Sequence, residues 1–224
     1  MAVEVGDGSP GGYANDRYRR GRRAWRARTR WIAAACFGPF VLAGIVVGVV
    51  AGHPESWIAG ASFGMGAAAW GVVRKSPPPH VENWQTGAEG ERKTARALSG
   101  LDPSRWVVAH DVPCDHGNYD HVLVGASGVF LLDTKYPQGY AHIRDNALWV
   151  RRIEDPDADA PCVWPRGRAL GAAAGLSGEL QRRNGERVWV EAVVVLWCPF
   201  DEGVFVDGPC TFVHGSKLRG WLEG

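Results

Sequence analysis

The sequence predicts a mixed α/β domain preceded by an apolar helical pair, and three observations carry that prediction. Two uncharged runs stand near the N-terminus, Ile32 to Ala51 and Trp57 to Val73. From residue 82 onward a helical pattern comes first, strands fill the middle, and helix, strand and helix close the chain. Among those strands, two apolar, β-branched-rich runs flank the turn Gly125-Ala126-Ser127-Gly128 and carry Asp120, Asp133 and Lys135.

Residues 1 to about 16 are Gly-, Asp- and Ser-containing with no apolar period, as a disordered tail would be. Eight arginines and no acid follow between residues 17 and 30, so 1–30 is expected to be a disordered, Arg-rich cytoplasmic tail. Residues 31–75 read as a transmembrane helical hairpin, about 32–51 and 57–73. The first run, of 20 residues, is long enough to cross a bilayer, and the second, of 17, lies near the lower limit. Pro39 is tolerable there, because neighbouring helices can satisfy the backbone it frees. A signal peptide fits less well, since the run starts late and a second apolar segment follows.

Basic residues flank both outer ends, while the connecting turn carries only Glu55, so the positive-inside rule puts both termini in the cytoplasm. The expectation is a protein of the cell membrane with two spans, the bilayer meeting residues 32–73. The arginine cluster sets that topology or docks on anionic head groups. Gly44/Gly48, Gly48/Gly52 and Gly60/Gly64 are small-xxx-small spacings. They would let the two helices pack closely, or let the protein form a homo-oligomer through them.

Residues 76–81 form a stiff Pro-rich linker, and 82–224 the soluble domain. Within it, Glu89–Leu98 reads as a helix and Trp106–His110 as a strand. After the central hairpin, Ala141–Val150 makes a second hairpin turning at Asp145-Asn146. Residues 168–183 place Leu170, Ala174, Leu176 and Leu180 at helical spacing. Val188–Trp197 is a strongly apolar strand, buried on both faces. Phe212-Val213 and a helix over Ser216–Leu222 finish the chain.

The whole chain carries a formal net charge of +1, which hides an asymmetry. From residue 82 there are 15 Lys+Arg against 20 Asp+Glu, a balance near −5. Such a domain is a poor nonspecific binder of phosphate backbones. The five cysteines show no C-x-x-C and no paired spacing, so they read as reduced, mostly buried thiols rather than a disulfide framework or zinc site. No Walker or Rossmann glycine loop appears, and Ser127 has no evident His/Asp partner. His110, Asp111 and His116 form no metal-ligand spacing.

The central hairpin holds the chemistry. With Ala126-Ser127 as the loop, facing residues have numbers that sum to 253, which sets Asp120 opposite Asp133, with Cβ atoms about 5 Å apart. Lys135 lies two residues along on the same face, while His121 points to the other face and reads as structural. Two facing carboxylates repel unless a proton, cation or metal intervenes. Their hard oxygens, with the Thr134 carbonyl, suit Mg²⁺. Lys135 is placed to orient water or stabilise charge on a phosphate.

Three segments together resemble the nuclease-related domain family, NERD: Gly87-Ala88-Glu89-Gly90-Glu91, Tyr119-Asp120-His121-Val122-Leu123-Val124, and Gly128-Val129-Phe130-Leu131-Leu132-Asp133-Thr134-Lys135. The resemblance covers about residues 82–200. It implies the PD-(D/E)xK class, a restriction-endonuclease-like mixed β-sheet flanked by helices with the site at the hairpin. Under it Glu91 matches the family's helical acid, Asp120 its first strand acid, and Asp133 and Lys135 its (D/E)xK. Metal ligands would be Asp120, Asp133, Glu91 and the Thr134 backbone carbonyl, holding Mg²⁺ or Mn²⁺. The chain departs from the family pattern at Asp133, where Glu is usual, at Tyr136, where Asn is common, and around Trp164-Pro165, which lacks an expected glutamine. The resemblance implies a membrane-anchored, Mg²⁺-dependent nuclease acting on DNA or RNA. The alternative is a catalytically inactive domain of the same type, serving as a membrane-tethered binding or scaffold module.

Overall fold

The computed structural model describes residues 9–53, 55–73, 79–115, 117–153 and 159–224. The chain divides into two compact units, one of residues 16–84 and one of residues 85–224 with the N-terminal residues through Asn15.

The first unit is helical. Helix α1 spans Gly12–Ala51 and α2 spans Ser56–Val73. Residues 12–30 are therefore helical, not the disordered tail expected through residue 30; residues 1–8 lie outside the described residues. Arginine is a good helix former, and a basic run continuous with an apolar helix simply extends it. The two helices run antiparallel with glycines between them. A Cβ on Gly44 would meet the Ser56 carbonyl at 2.8 Å, and one on Gly64 would meet the Phe37 carbonyl at 3.0 Å. Their outer surface is the reverse, with Val49, Val50, Phe63 and Trp70 exposed. Among the described residues, α1 is the one helix long and apolar enough to cross a membrane.

Helix α3 spans Pro79–Leu98, so the expected linker at 79–81 is helical, and residues 76–78 lie outside the described residues. The strands are β1 Trp106–Cys114, β2 Gly117–Gly125, β3 Gly128–Lys135, β4 Gly139–Arg144, β5 Ala147–Arg152 and β6 Asp159–Pro161. Then come α4 Val163–Asn184, β7 Val190–Leu196, β8 Val204–Asp207, β9 Cys210–His214 and α5 Leu218–Glu223. A six-stranded mixed sheet has the order β1-β2-β3-β7-β9-β8, with β3, β7 and β9 parallel, and β4-β5-β6 form a small second sheet.

Both faces of the large sheet are covered, which makes the mixed α/β class explicit. Ala169, Ala173 and Leu176 of α4 pack against Leu131, Ala192, Val194 and Phe212 on one face. Leu98 with Leu218 and Leu222 of α5 packs against Leu123, Leu132, Val193 and Val195 on the other. Strand β7 is thus buried on both sides, as its unbroken Val run requires. The β4–β5 hairpin turns at Asp145 and Asn146, both left-handed at φ 52° and 57°, a conformation that Asp and Asn tolerate. Cys162, Cys198 and Cys210 are buried free thiols. Burial raises them to about 11, 11 and 12.

Candidate active site

The central hairpin has the register read from its turn. Gly125 faces Gly128 and the pairs run to His121 facing Leu132, every pair summing to 253. The backbone ladder stops there, and the Asp120 carboxylate takes over. Its Oδ2 accepts a hydrogen bond of 2.8 Å from the Thr134 N–H, a donor that a continued strand would have paired.

The cause lies one strand away. β1 and β2 pair from Trp106/Gly125 to Cys114/Gly117, but Asp111 and Asp120, which face each other by count, are missing from the ladder. Asp111 has φ +52°, rare for a non-glycine residue. The ribbon turns over at this point. Val108 and Leu123 belong to the core under α5, whereas Val112 and Tyr119, beyond the break, belong to the core under α4. Asp111 is 1% exposed. Its carboxylate accepts from Asn118 Nδ2 at 2.5 Å and from the Tyr13 N–H at 2.8 Å. Sequence reading passed over Asp111 because a strand that turns over has no signature in the alternation of its residues.

Asp133 and Lys135 sit at the carboxyl end of β3, where it runs parallel to β7. Lys135 Nζ lies 2.7 Å from both Asp133 oxygens, donating to Oδ1 and holding Oδ2 by charge alone. It also donates to the Thr134 carbonyl at 3.3 Å. Asp133 is only 8% exposed, so this pair is largely shielded from water.

Glu91 arrives from α3. Gly90 lets that helix close on β3, since a Cβ there would meet Thr134 Cγ2 and Tyr136 Cβ at 3.1 Å each. Thr94, a turn later, shares a 3.0 Å hydrogen bond with the Thr134 hydroxyl and accepts from the Trp197 indole at 2.8 Å. Tyr136, the residue after the lysine, is held by Lys93 at 2.6 Å and so belongs to this clamp. The clamp leaves Glu91 8% exposed, and its Oε2 has no hydrogen-bond partner among the described residues.

The electrostatics follow from that burial. Glu91 is pushed up to about 9, first by desolvation, then by Asp120, Asp111 and Asp133, with Lys135 pulling against them. Asp120 rises to about 6, again first by desolvation and then by Asp133. Lys135, the Thr134 N–H and Arg168 offset part of that rise. Asp120 as a residue is half-buried by surface area, but its carboxyl points inward.

Asp120, Asp133, Lys135 and Glu91 therefore share one electrostatic neighbourhood. No three Asp, Glu, His or Cys side chains among the described residues form a ready metal cage. The donor chemistry still fits a hard divalent cation. A buried orphan oxygen on Glu91 and carboxyls raised first by burial and then by mutual repulsion are what such a cation relieves, and Mg²⁺ takes only one or two carboxylates beside its waters.

His121 is fully buried on the other side, its Nδ1 2.7 Å from His110 Nδ1. Desolvation and then His110 lower it to about 3, so it stays neutral. His116 lies outside the described residues. A cavity of about 590 Å³ is lined by Arg92, Arg96, His110, residues 9–12 and Asn15, not by the carboxylates.

A mixed α/β domain with carboxylates and a lysine at the carboxyl end of a parallel strand is the class that this fold and site define. Residues 86–197, half of the chain, match the nuclease-related domain family, NERD, and the chain belongs to that family. It is also similar to an uncharacterized protein of Bacillus anthracis, 34% identical over 88 residues that cover 37% of this chain and 39% of that protein. The match thus spans about two-fifths of that relative's length. No solved structure matches the chain.

Proposed function

We propose that the chain is a membrane-anchored nuclease whose site, of the PD-(D/E)xK type in a restriction-endonuclease-like fold, hydrolyses phosphodiester bonds of DNA or RNA with Mg²⁺ or Mn²⁺. The observation that carries this reading is the gathering of Asp120, Asp133, Lys135 and the orphaned Glu91 around the end of β3. In that reading Asp120, Asp133, Glu91 and the Thr134 carbonyl hold the ion. The bound ion supplies charge neutralisation on the scissile phosphate and a more acidic water.

The chain's own groups do the rest. Glu91, held protonated at neutral pH by its burial, would have to pass its proton to solvent before its oxygens could serve as a ligand. Lys135 turns from Asp133 toward the reacting phosphate, orients the attacking water and offsets the charge that develops as the phosphorus–oxygen bond breaks. In this reading α1 is the span that length and apolarity support and α2, shorter and packed closely on it, would return the chain, with the flanking basic residues keeping both termini cytoplasmic.

The second reading is an inactive, membrane-tethered binding or scaffold module. The acidic balance of residues 82–224 favours it, as does the closed Lys135–Asp133 pair, which occupies a ligand. Full-length protein in detergent, assayed on single- and double-stranded DNA and RNA with Mg²⁺ or Mn²⁺ beside Lys135→Ala, separates the two. Metal-dependent cleavage that vanishes in the variant is the expected result; cleavage untouched by the substitution sinks the catalytic reading.

A further inference from the structure

Helix α4 has two faces of unequal character. Ala169, Ala173 and Leu176 are buried against the sheet. The opposite face carries Trp164, Gly167, Arg168 and Gly171, spaced i, i+3, i+4 and i+7, and all four are exposed. Trp164 is 65% exposed, and the Arg168 guanidinium lies over its ring at 5.0 Å. A Cβ at Gly167 or Gly171 would meet nothing within 4 Å, so the surface beyond the indole is low and open.

The topology brings this face to the candidate site. α4 leads into β7, and β7 runs parallel to β3, so the helix returns from the carboxyl ends of the strands toward their amino ends. Its first turns therefore stand at the end where Asp133 and Lys135 lie. The charge of Arg168 reaches Asp120 and counts among the forces holding that carboxyl down. Arg166, two residues earlier, is paired with Asp207 at 2.9 Å. Arg168 makes no ion pair among the described residues. An unspent cation in a domain of negative balance, laid on an exposed aromatic beside carboxylates, suits an occupant with both a flat ring and an anion.

We propose that Trp164 and Arg168 form a nucleotide platform that selects single-stranded nucleic acid for the site at the end of β3. An unpaired base stacks on the Trp164 indole, and an adjacent phosphate is held by Arg168. The open surface at Gly167 and Gly171 admits the strand. This inference rests on the reading of the site as one that acts on nucleic acid. Single strands are favoured over duplex because only an unpaired, unstacked base offers its face to an aromatic ring.

The test is fluorescence anisotropy with full-length protein in detergent micelles, on labelled oligothymidylate and on a duplex of equal length. The wild type should prefer the single strand. Trp164→Ala should weaken single-strand binding about 5- to 100-fold with little change for duplex, and Trp164→Phe should restore most of it. Arg168→Ala should flatten the salt dependence of single-strand binding by about 0.7 in the log–log slope. Thermal melts check that the variants fold.

Unchanged single-strand affinity in Trp164→Ala, equal loss on both substrates, or no oligonucleotide binding by the wild type overturns the platform. Cleavage measured in parallel keeps the two readings apart. Lys135-dependent cleavage with Trp164-indifferent binding leaves the nuclease and removes the platform. Trp164-dependent binding without cleavage does the opposite.

Discussion

Asp120 and His121 are consecutive on β2, yet they join two polar clusters built on opposite principles. Asp120 enters a group of acids that repel one another and leave a buried Glu91 oxygen without a partner. His121 enters a pair in which each ring can be neutral, one nitrogen donating and the other accepting across 2.7 Å. Desolvation acts on both clusters, raising the acids and lowering the histidines. The histidine pair relieves that pressure by discharging. The acids cannot all do so while Lys135 stays bound to Asp133. Both clusters keep one buried atom without a partner among the described residues, Glu91 Oε2 and His121 Nε2, so the difference lies in the charge that the acids retain and the histidines shed, and retained charge is what a cation would relieve.

Activity gives the widest separation between the clusters. Lys135→Ala and Asp133→Asn are each expected to lower metal-dependent cleavage by about 10²- to 10⁴-fold, the range for removing a group that acts in the transition state. His121→Leu, on the same strand as Asp120, should leave cleavage within about threefold, under about 0.7 kcal/mol of barrier, because its ring bonds His110 and not the carboxylates. A His121 variant as inactive as Lys135→Ala, with an unchanged melt, would erase the distinction.

The alkaline limb of stability is the next largest effect. A carboxyl whose folded pKa lies above its unfolded value binds an extra proton on folding. Glu91 is raised from 4.5 to about 9, so its share of stability is complete below about pH 4.5 and drains away as pH climbs toward 9. The slope approaches about 1.4 kcal/mol per pH unit for one such group. Glu91→Gln should flatten that limb and raise the melting temperature at pH 8, measured in chelator. Mg²⁺ or Mn²⁺ at a hundredfold excess over its pH 8 dissociation constant should stabilise the wild type by about 2–3 kcal/mol at pH 8, and by less at the same concentration at pH 6. Calorimetry in buffers of different ionisation enthalpy should record a proton released on metal binding, and Asp120→Asn should abolish both responses.

Much of this contrast was legible in the sequence, and the part that was not has a definite cause. Ala126-Ser127 fixes the register of β2 and β3, so the pairing from Gly125/Gly128 to His121/Leu132 followed from counting, and the ladder ends just before Asp120 and Asp133. The opposite-face placement of His121 followed from alternation. Alternation then failed at Asp111, whose left-handed backbone turns the β1–β2 ribbon over. That reversal releases Asp120 from the ladder to cap the Thr134 N–H, and no residue pattern announces it. The β8–β9 hairpin and the full length of β1 were missed as well, although both pair locally, because His110-Asp111 and Pro113 break the apolar alternation of β1 and β8 is only four residues long. Glu91 could be placed only by family resemblance. Its approach depends on Gly90 and on the Thr94–Thr134–Trp197 bonds, which join α3 to strands far along the chain.

The acid limb gives the smallest effect and the finest test. A histidine whose folded pKa is lowered binds fewer protons folded than unfolded. His121 falls from 6.5 to about 3, so its share of stability is complete above pH 6.5 and is lost as pH drops toward 3. At neutral pH His121→Leu should change stability by no more than about 1 kcal/mol. It gives up one hydrogen bond to His110, but it also removes a buried Nε2 that has no partner among the described residues. Its effect should appear on acidification, where the wild type weakens between pH 6.5 and 4.5 and the variant weakens less. Urea unfolding across that range measures the difference. Equal acid slopes in wild type and variant would mean that the histidine pair is not held neutral by burial, and the contrast with the carboxylates would lose its physical basis.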